Sequence, residues 1–349
     1  MPDDSQGYTE WIAYGGTKNK VFDSPSFPKP PSQPLGGKPM HVVCEALETT
    51  FGVFVTHDIK IGELIFAERP FLVAPRALGF APGSIVGDFN LDHINQVQWS
   101  DLEAKLAIAV ERMPDNAREA FLQLRNSHKE DGAGAIGGIF LTNAFELGGL
   151  VDGPIGTKVT DRNGYAGIAR AGSRINHSCM PNTTATFDVA SFSLQFFAIK
   201  DLKAGDELFY GYCNIYAPYA ERRESLGRYG IVCKCPACVN STPTSESFRR
   251  TFIQRIKKIK QEVEEWQAET VKGFESAVAT PTLEREAVLA KVLTLQKQLV
   301  EEGLDASDHY AVIFMVLYQL YVQLGKMRRA DSAFQQIQRY NALARLDLE

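Results

Sequence analysis

With 349 residues, 44% of them hydrophobic, and a formal net charge of −5, the chain is long enough for about two domains with a substantial core, and its acidic balance argues against a general nucleic-acid binder. The opening MPDDSQGYTEW carries neither a basic nor an apolar run, and AVIFMVLY (311–318) is too short to span a bilayer, so neither a signal peptide nor a membrane span is expected. An intracellular protein, nuclear or cytoplasmic, is the resulting expectation.

Residues 1–39 lack periodicity, and SPSFPKPPSQPLGGKP reads as an extended arm. That arm either docks on the body through Trp11, Tyr14, Phe22 and Phe27 or stays mobile. From residue 40 short β-rich runs follow, HVVCEAL, FGVFVTH and ELIFAERPFLVA, punctuated by Gly52 and Gly62. Spacings of three and four at Trp99, Leu102, Leu106 and Val110, and again at Phe121, Leu124 and His128, predict two helices over 91–128 broken at Met113-Pro114-Asp115. Residues 132–172 are glycine-rich around the apolar run GIFLTNAFEL, and ATFDVASFSLQFFAIKDL has hairpin character. After Cys238 the pattern turns helical. Phe252, Ile256, Ile259, Val263 and Trp266 form one face, Thr280-Pro281 reads as a helix start, and Gly303 as a helix end. Two further helices near 307–324 and 326–344 meet at Gly325, like one tetratricopeptide-type hairpin.

Six cysteines are present: Cys44, Cys179, Cys213, Cys233, Cys235 and Cys238. Three fall in C-K-C-P-A-C. Without secretion such a cluster reads as metal-binding rather than disulfide-forming. Three thiolates leave one vertex of a zinc tetrahedron open. Cys179, in the polar turn R-I-N-H-S-C-M-P-N (174–182), is the favoured fourth ligand, with Cys213 and Cys44 as alternatives that spacing does not exclude. A Cys179–His177 nucleophile pair is disfavoured, because side chains along an extended segment alternate faces and the two are not expected to meet.

The order N-H-S-C-x-P-N (176–182), G-D-E-L-x-x-x-Y (205–212) and C-x-C-x-x-C (233–238), preceded by FGVFVTHDIKIGELIFAERP (51–70), resembles the SET-domain protein-lysine methyltransferases with their post-SET zinc segment. The likeness is greatest to the SET-and-MYND group and its fungal relatives, without the MYND finger, since no cysteine lies between Cys44 and Cys179. It implies an α+β fold: a SET β-fold with a pseudoknot at 40–232, a helical insertion at about 75–165, a zinc segment at 233–243 and an all-α region at 244–349. The usual G-x-G has Thr50 in its first place, and the aromatic before the cysteines is Ile231.

The resemblance further implies S-adenosylmethionine and zinc as cofactors and a lysine-bearing protein as substrate, with the C-terminal helices as a surface for partners. Tyr212 would be catalytic. Asn176, the backbone of His177, Gly52, Asn143 and Tyr212 would bind the cofactor, and Cys179, Cys233, Cys235 and Cys238 the metal. Tyr210 and Phe209 would line or support the lysine channel, and Glu207 is read as structural. The competing expectation is a SET fold that has lost activity and serves as a zinc-stabilised scaffold.

Overall fold

A computed structural model describes residues 3–4, 7–37, 40–46, 51–76, 91–130, 132–153, 157–158, 163–272, 282–305 and 308–344. The fold is α+β, and its described residues form three large hydrophobic cores and a smaller cluster around Cys179 and Cys238. Thr50 and the helix start read at Thr280-Pro281 lie outside the described residues.

The N-terminal arm docks. A two-residue hairpin, β1 (Asp3–Asp4) with β2 (Gly7–Tyr8), leads into β3 (Glu10–Trp11) and then α1 (Gly15–Phe22). The Trp11 ring packs 5.1 Å from Phe192 and 6.3 Å from Tyr165, while Tyr14 and Phe22 are exposed. Trp11 and Phe27 join the core, so two of the four expected aromatics anchor the arm. Helix α1 was not expected; it is held by Thr17 and Val21, which are buried on one face.

Strand β4 (His41–Cys44) pairs antiparallel with β5 (Gly52–Val55). Next come β6 (Leu64–Glu68) and β7 (Leu72–Pro75). The insertion contributes α2 (Leu91–Arg112), α3 (Asp115–Leu122) and α4 (Ala135–Asn143). Pro114 at the N-cap of α3 produces the expected break, because its fixed φ starts a helix but cannot continue one. That second helix ends at Leu122, so Leu124 and His128 lie in the turns beyond it rather than on its face. Their spacing mimics a helix because Leu124 still turns inward to the core formed by Leu106 and Phe121.

Helix α4 aims the first site residue. It holds two adjacent glycines, Gly137 and Gly138, where a Cβ at Gly138 would sit 2.3 Å from Asn126 Oδ1. The Glu103 carboxylate accepts the Ile136 and Gly137 N–H groups at the helix start, where an anion is favoured. Close packing at one end and a charged cap thus fix Asn143 at the other.

Strand β8 (Phe145–Val151) pairs with β9 (Gly164–Ile168), and the sheet order is β3-β7-β9-β8. A single 3-10 turn (Gly172–Arg174) precedes β10 (Asn176–His177). The hairpin expected in ATFDVASFSLQFFAIKDL is present as β11 (Thr183–Asp188) and β12 (Ser193–Ala198), with β6 on the other edge of β12. Rings of Phe66 and Phe196 stack at 4.4 Å between these strands, with Phe145 edge-on to Phe196 at 5.4 Å.

After β13 (Phe209–Tyr210) the chain is helical: α5 (Tyr219–Gly227), α6 (Pro236–Val239), α7 (Pro243–Lys272), α8 (Thr282–Glu301), α9 (Asp308–Gln323) and α10 (Met327–Ala344). Phe252, Ile256 and Val263 are buried along α7, with Ile259 and Trp266 half-buried beside them, as the periodicity predicts. Gly303 and Gly325 have positive φ, of 69° and 67°, at the ends of α8 and α9. Ile215 and Tyr216 pack into the core of this helical layer, joining it to the β-rich body. No helix among the described residues is long and apolar enough to cross a membrane.

Candidate active site and metal centre

The segment 176–182 and the segment 207–212 clasp each other. Strands β10 and β13 pair in parallel, Asn176 opposite Phe209 and His177 opposite Tyr210. The Ser178 N–H donates to Tyr210 O at 3.1 Å and the Asn182 N–H to Phe209 O at 3.2 Å. The Asn182 side chain completes the clasp, donating to Glu207 O at 2.8 Å and accepting the Phe209 N–H at 2.7 Å. Two-residue strands alone are weak. The asparagine that ends the motif supplies the missing bonds.

The expected cofactor residues fall into three groups around this clasp. Asn143 and Tyr212 line one cleft of about 130 Å³, together with Thr142, Gly172, Ser173, Tyr210 and Tyr229. Asn143 is fixed there by donating to Arg125 O and Ile139 O, both at 2.7 Å, while its own carbonyl accepts the Ser173 hydroxyl at 2.9 Å. Asn176 and Gly52 meet instead at Glu207. The Asn176 amide donates to Glu207 Oε1 at 2.7 Å and to Phe51 O at 3.0 Å. A Cβ on Gly52 would lie 2.6 Å from the same carboxylate oxygen, so a side chain there would displace the Glu207 carboxylate. His177 forms the third group, facing the sulfurs.

Tyr212 is held at its backbone, its hydroxyl and its ring. Its N–H donates to His177 Nδ1 at 2.9 Å, and its hydroxyl donates to the Ile175 carbonyl. Its ring lies 5.5 Å from that of Tyr229. Burial pushes the hydroxyl far above the usual tyrosine range, so it keeps its proton. With that proton given to Ile175 O, the oxygen can act only as an acceptor toward the cleft.

The expectation that His177 and Cys179 do not meet is corrected. They are two residues apart, so in extended chain they share a face, and His177 Nε2 lies 3.3 Å from Cys179 Sγ. The Tyr212 N–H donates to Nδ1, so the ring's hydrogen lies on Nε2, directed to Cys179. The ring therefore links the sulfurs to Tyr212 and has no nitrogen left to act as a base.

The Sγ atoms of Cys179, Cys233, Cys235 and Cys238 all lie within 4.8 Å of one another. Cys179 Sγ is 3.5 Å from Cys238 Sγ and 4.0 Å from Cys233 Sγ. A zinc tetrahedron with bonds of ~2.3 Å has edges of ~3.8 Å, so the four sulfurs fit that ion. Cys213 belongs to a second, three-membered group with His177 and Cys179. Cys44 is exposed on β4. Leu226 and Ala237 wall the sulfurs, and Ile231 packs beside them.

Three residues that the sequence reading did not single out shape the site. Tyr229 adds a third tyrosine to the cleft beside Tyr210 and Tyr212; only its place four residues before Cys233 hinted at this. Glu68 accepts the Ala171 and Gly172 N–H groups, fixing the turn that enters the clasp, and nothing in its local sequence marks it. Gly172 packs on Phe196, whose ring would lie 2.2 Å from an added Cβ.

Residues 50–213 match the SET domain family. Histone-lysine N-methyltransferase set5 of Schizosaccharomyces pombe is 30% identical over 122 residues, 35% of this chain and 34% of that protein. SET domain and MYND-type zinc finger protein 6 of the same yeast is 34% identical over 88 residues, 25% of this chain and 18% of that one. Histone-lysine N-methyltransferase SMYD3 of Homo sapiens is 25% identical over 153 residues, 42% of this chain and 35% of that one. The matched stretch thus spans about a third or less of the length of these relatives.

Proposed function

We propose, from the match of residues 50–213 to the SET domain family, that the protein transfers a methyl group from S-adenosylmethionine to the side-chain amine of a protein lysine. The observation that carries this is the Tyr212 hydroxyl. Its proton is committed to Ile175 O, its pKa is raised by burial, and it lines the same cleft as Asn143. The volume of about 130 Å³ is below the ~300 Å³ and more of whole-ligand pockets. It suits the reacting end of the cofactor and the tip of a lysine.

Asn143, held at the end of α4, would bind the cofactor in the cleft, with Gly52, Asn176 and the His177 backbone supporting it through Glu207 and the clasp. When bound, the sulfonium supplies the electrophilic methyl group. The lysine must arrive neutral, although free lysine has a pKa of ~10.4. Phe145, Tyr210, Tyr212 and Tyr229 line one part of the cleft, and Thr142, Asn143, Glu146 and Ser173 the rest; burial of the amine against the aromatic part would favour its neutral form. The acceptor oxygen of Tyr212 orients the transferring methyl through weak C–H···O contacts. Cys179, Cys233, Cys235 and Cys238 would hold one zinc, tying the post-SET segment to the clasp. The N-terminal arm (1–39), the SET region (40–232), the zinc segment (233–243) and the helical region (244–349) form the working parts. The helical region walls the substrate side and offers a surface for partners.

The named activity of two of the relatives makes histones the first substrates to try, with other intracellular proteins, nuclear or cytoplasmic, beside them. The test is incubation of the zinc-loaded chain with labelled S-adenosylmethionine and a fractionated lysate. Label in protein lysine supports the proposal. Absence of both label and cofactor binding by calorimetry overturns it in favour of the scaffold reading.

A further inference from the structure

The buried charge of Arg222 points to a role at the sulfur cluster. Arg222 lies on α5 and is fully buried, with 0% of its surface exposed. It is among the largest fully buried side chains of the protein. One terminal nitrogen donates to Ala217 O; the other is 3.2 Å from Ala237 O and 3.7 Å from Cys238 Sγ. Its Nε has no hydrogen-bond partner among the described residues, and no carboxylate there forms a salt bridge with it.

The other buried arginine nearby provides the contrast. Arg249 Nε is 3.0 Å from the Glu302 carboxylate, so its charge is answered by an ordinary acidic partner. Arg222 has only carbonyls and sulfur. A buried guanidinium without a counter-charge is strongly unfavourable. Among the described residues, the groups beside Arg222 that can carry a full negative charge are the thiolates of Cys238, 3.7 Å away, and of Cys179.

Four thiolates and one divalent ion sum to a net charge of −2, held here in an apolar surround of Leu226 and Ala237. Such a centre is itself costly to bury without a compensating cation. The two problems solve each other. Each charge is unfavourable alone, and together they leave a centre of net −1 joined by an N–H···S hydrogen bond.

We propose that Arg222 is the built-in counter-ion of the four-cysteine centre, a positioning residue outside the ligand shell that sets how tightly the site holds zinc. It also explains why α5 must precede the cysteines: the helix delivers the guanidinium through the Ala217 and Ala237 carbonyls to the Cys238 side of the cluster. This rests on the four-cysteine reading of the metal centre and not on the methyl-transfer reading.

The test uses the full chain and zinc alone, titrated against a metallochromic chelator, with cobalt(II) substituted for zinc as a spectroscopic probe. Arg222→Met is expected to lower zinc affinity at least tenfold, and Arg222→Lys, which keeps the charge but not the fork, to fall between. Arg222→Met should displace the sulfur-to-cobalt charge-transfer band, because the N–H···S bond is lost, and Arg222→Lys, whose ammonium lacks the planar fork, should displace it less. Arg223→Met, on the exposed side of the same helix, should match wild type in both measurements. If Arg222→Met does not fold, Arg222→Lys decides by its affinity and its cobalt spectrum. Wild-type affinity and an unmoved band in the Arg222 variants overturn the counter-ion role. Failure of the wild-type chain to bind zinc at all overturns the four-cysteine reading and this proposal with it, and leaves the methyl-transfer proposal to its own test.

Discussion

His177 joins two parts of the site with its two ring nitrogens, Nδ1 accepting from the Tyr212 backbone and Nε2 facing Cys179. Removing the ring leaves the Tyr212 N–H unpaired and the tyrosine free to shift. His177→Ala should therefore lower the methyl-transfer rate by ~1–3 kcal/mol of barrier, with cofactor affinity changed less. His177→Asn, whose amide oxygen can replace Nδ1, should recover part of the loss. Single-turnover rates beside calorimetric affinities decide this; equal loss in both variants would contradict the acceptor role. A second histidine makes a pH prediction. His41 stacks on Phe66 at 4.0 Å with its Nδ1 buried and without a partner among the described residues, and burial lowers its pKa from the ordinary 6.5. Below that value the unfolded chain takes up a proton that the folded chain resists, so stability falls as the pH drops through 6.5 toward the folded pKa. Urea midpoints at about pH 7.5 and about pH 5.5 should converge in His41→Phe relative to wild type; an unchanged difference would show that His41 does not contribute.

At this scale the sequence was legible where a motif names its residues. Cys179 lies among the sulfurs of Cys233, Cys235 and Cys238, and Asn143 and Tyr212 line one cleft. Glu68 and Tyr229 were not legible because their roles come from long-range packing. Glu68 reaches the 171–172 turn across more than a hundred residues.

Among the elements, the helix ends were the most readable, because glycine and proline act locally. Gly303 closes α8 with φ at 69°, and a Cβ there would lie 2.2 Å from the Met180 side chain. The cap thus packs against the turn that follows Cys179. Gly303→Ala places an alanine in left-handed backbone, and the flexible Met180 can yield only part of the clash. A destabilisation of ~1–2 kcal/mol is expected, read as a lower urea midpoint. No change would mean that the α8 end is not held by this contact. The same locality explains what was missed. Helix α1 carries too little apolar pattern to stand out within a Pro/Gly-rich arm, and α4, with two glycines in nine residues, reads as a loop until Glu103 and Asn126 pack on it.

Across the whole molecule, the sulfur cluster lies where the clasp of 176–182 with 207–212, α5 and the helical layer converge. Arg249, paired with Glu302, donates to Ile215 O, and Lys200 reaches Asp305 at 2.8 Å. Zinc binding contributes to folding where the ligands come from separate segments, and Cys179 and Cys233 lie in separate segments of the chain. Chelating the metal should lower the melting midpoint by about 5 °C or more and weaken cofactor binding at the same time. A chelated chain that melts and binds as before would show that the cysteines are incidental. The central claim is narrower, namely that the buried, acceptor-facing hydroxyl of Tyr212 directs methyl transfer. Tyr212→Phe removes one oxygen and little volume, so zinc content, folding and cofactor affinity should persist. Its single-turnover transfer from labelled S-adenosylmethionine to a lysine-bearing protein should fall by a factor on the order of 10². A Tyr212→Phe chain that transfers methyl at the wild-type rate would contradict the account.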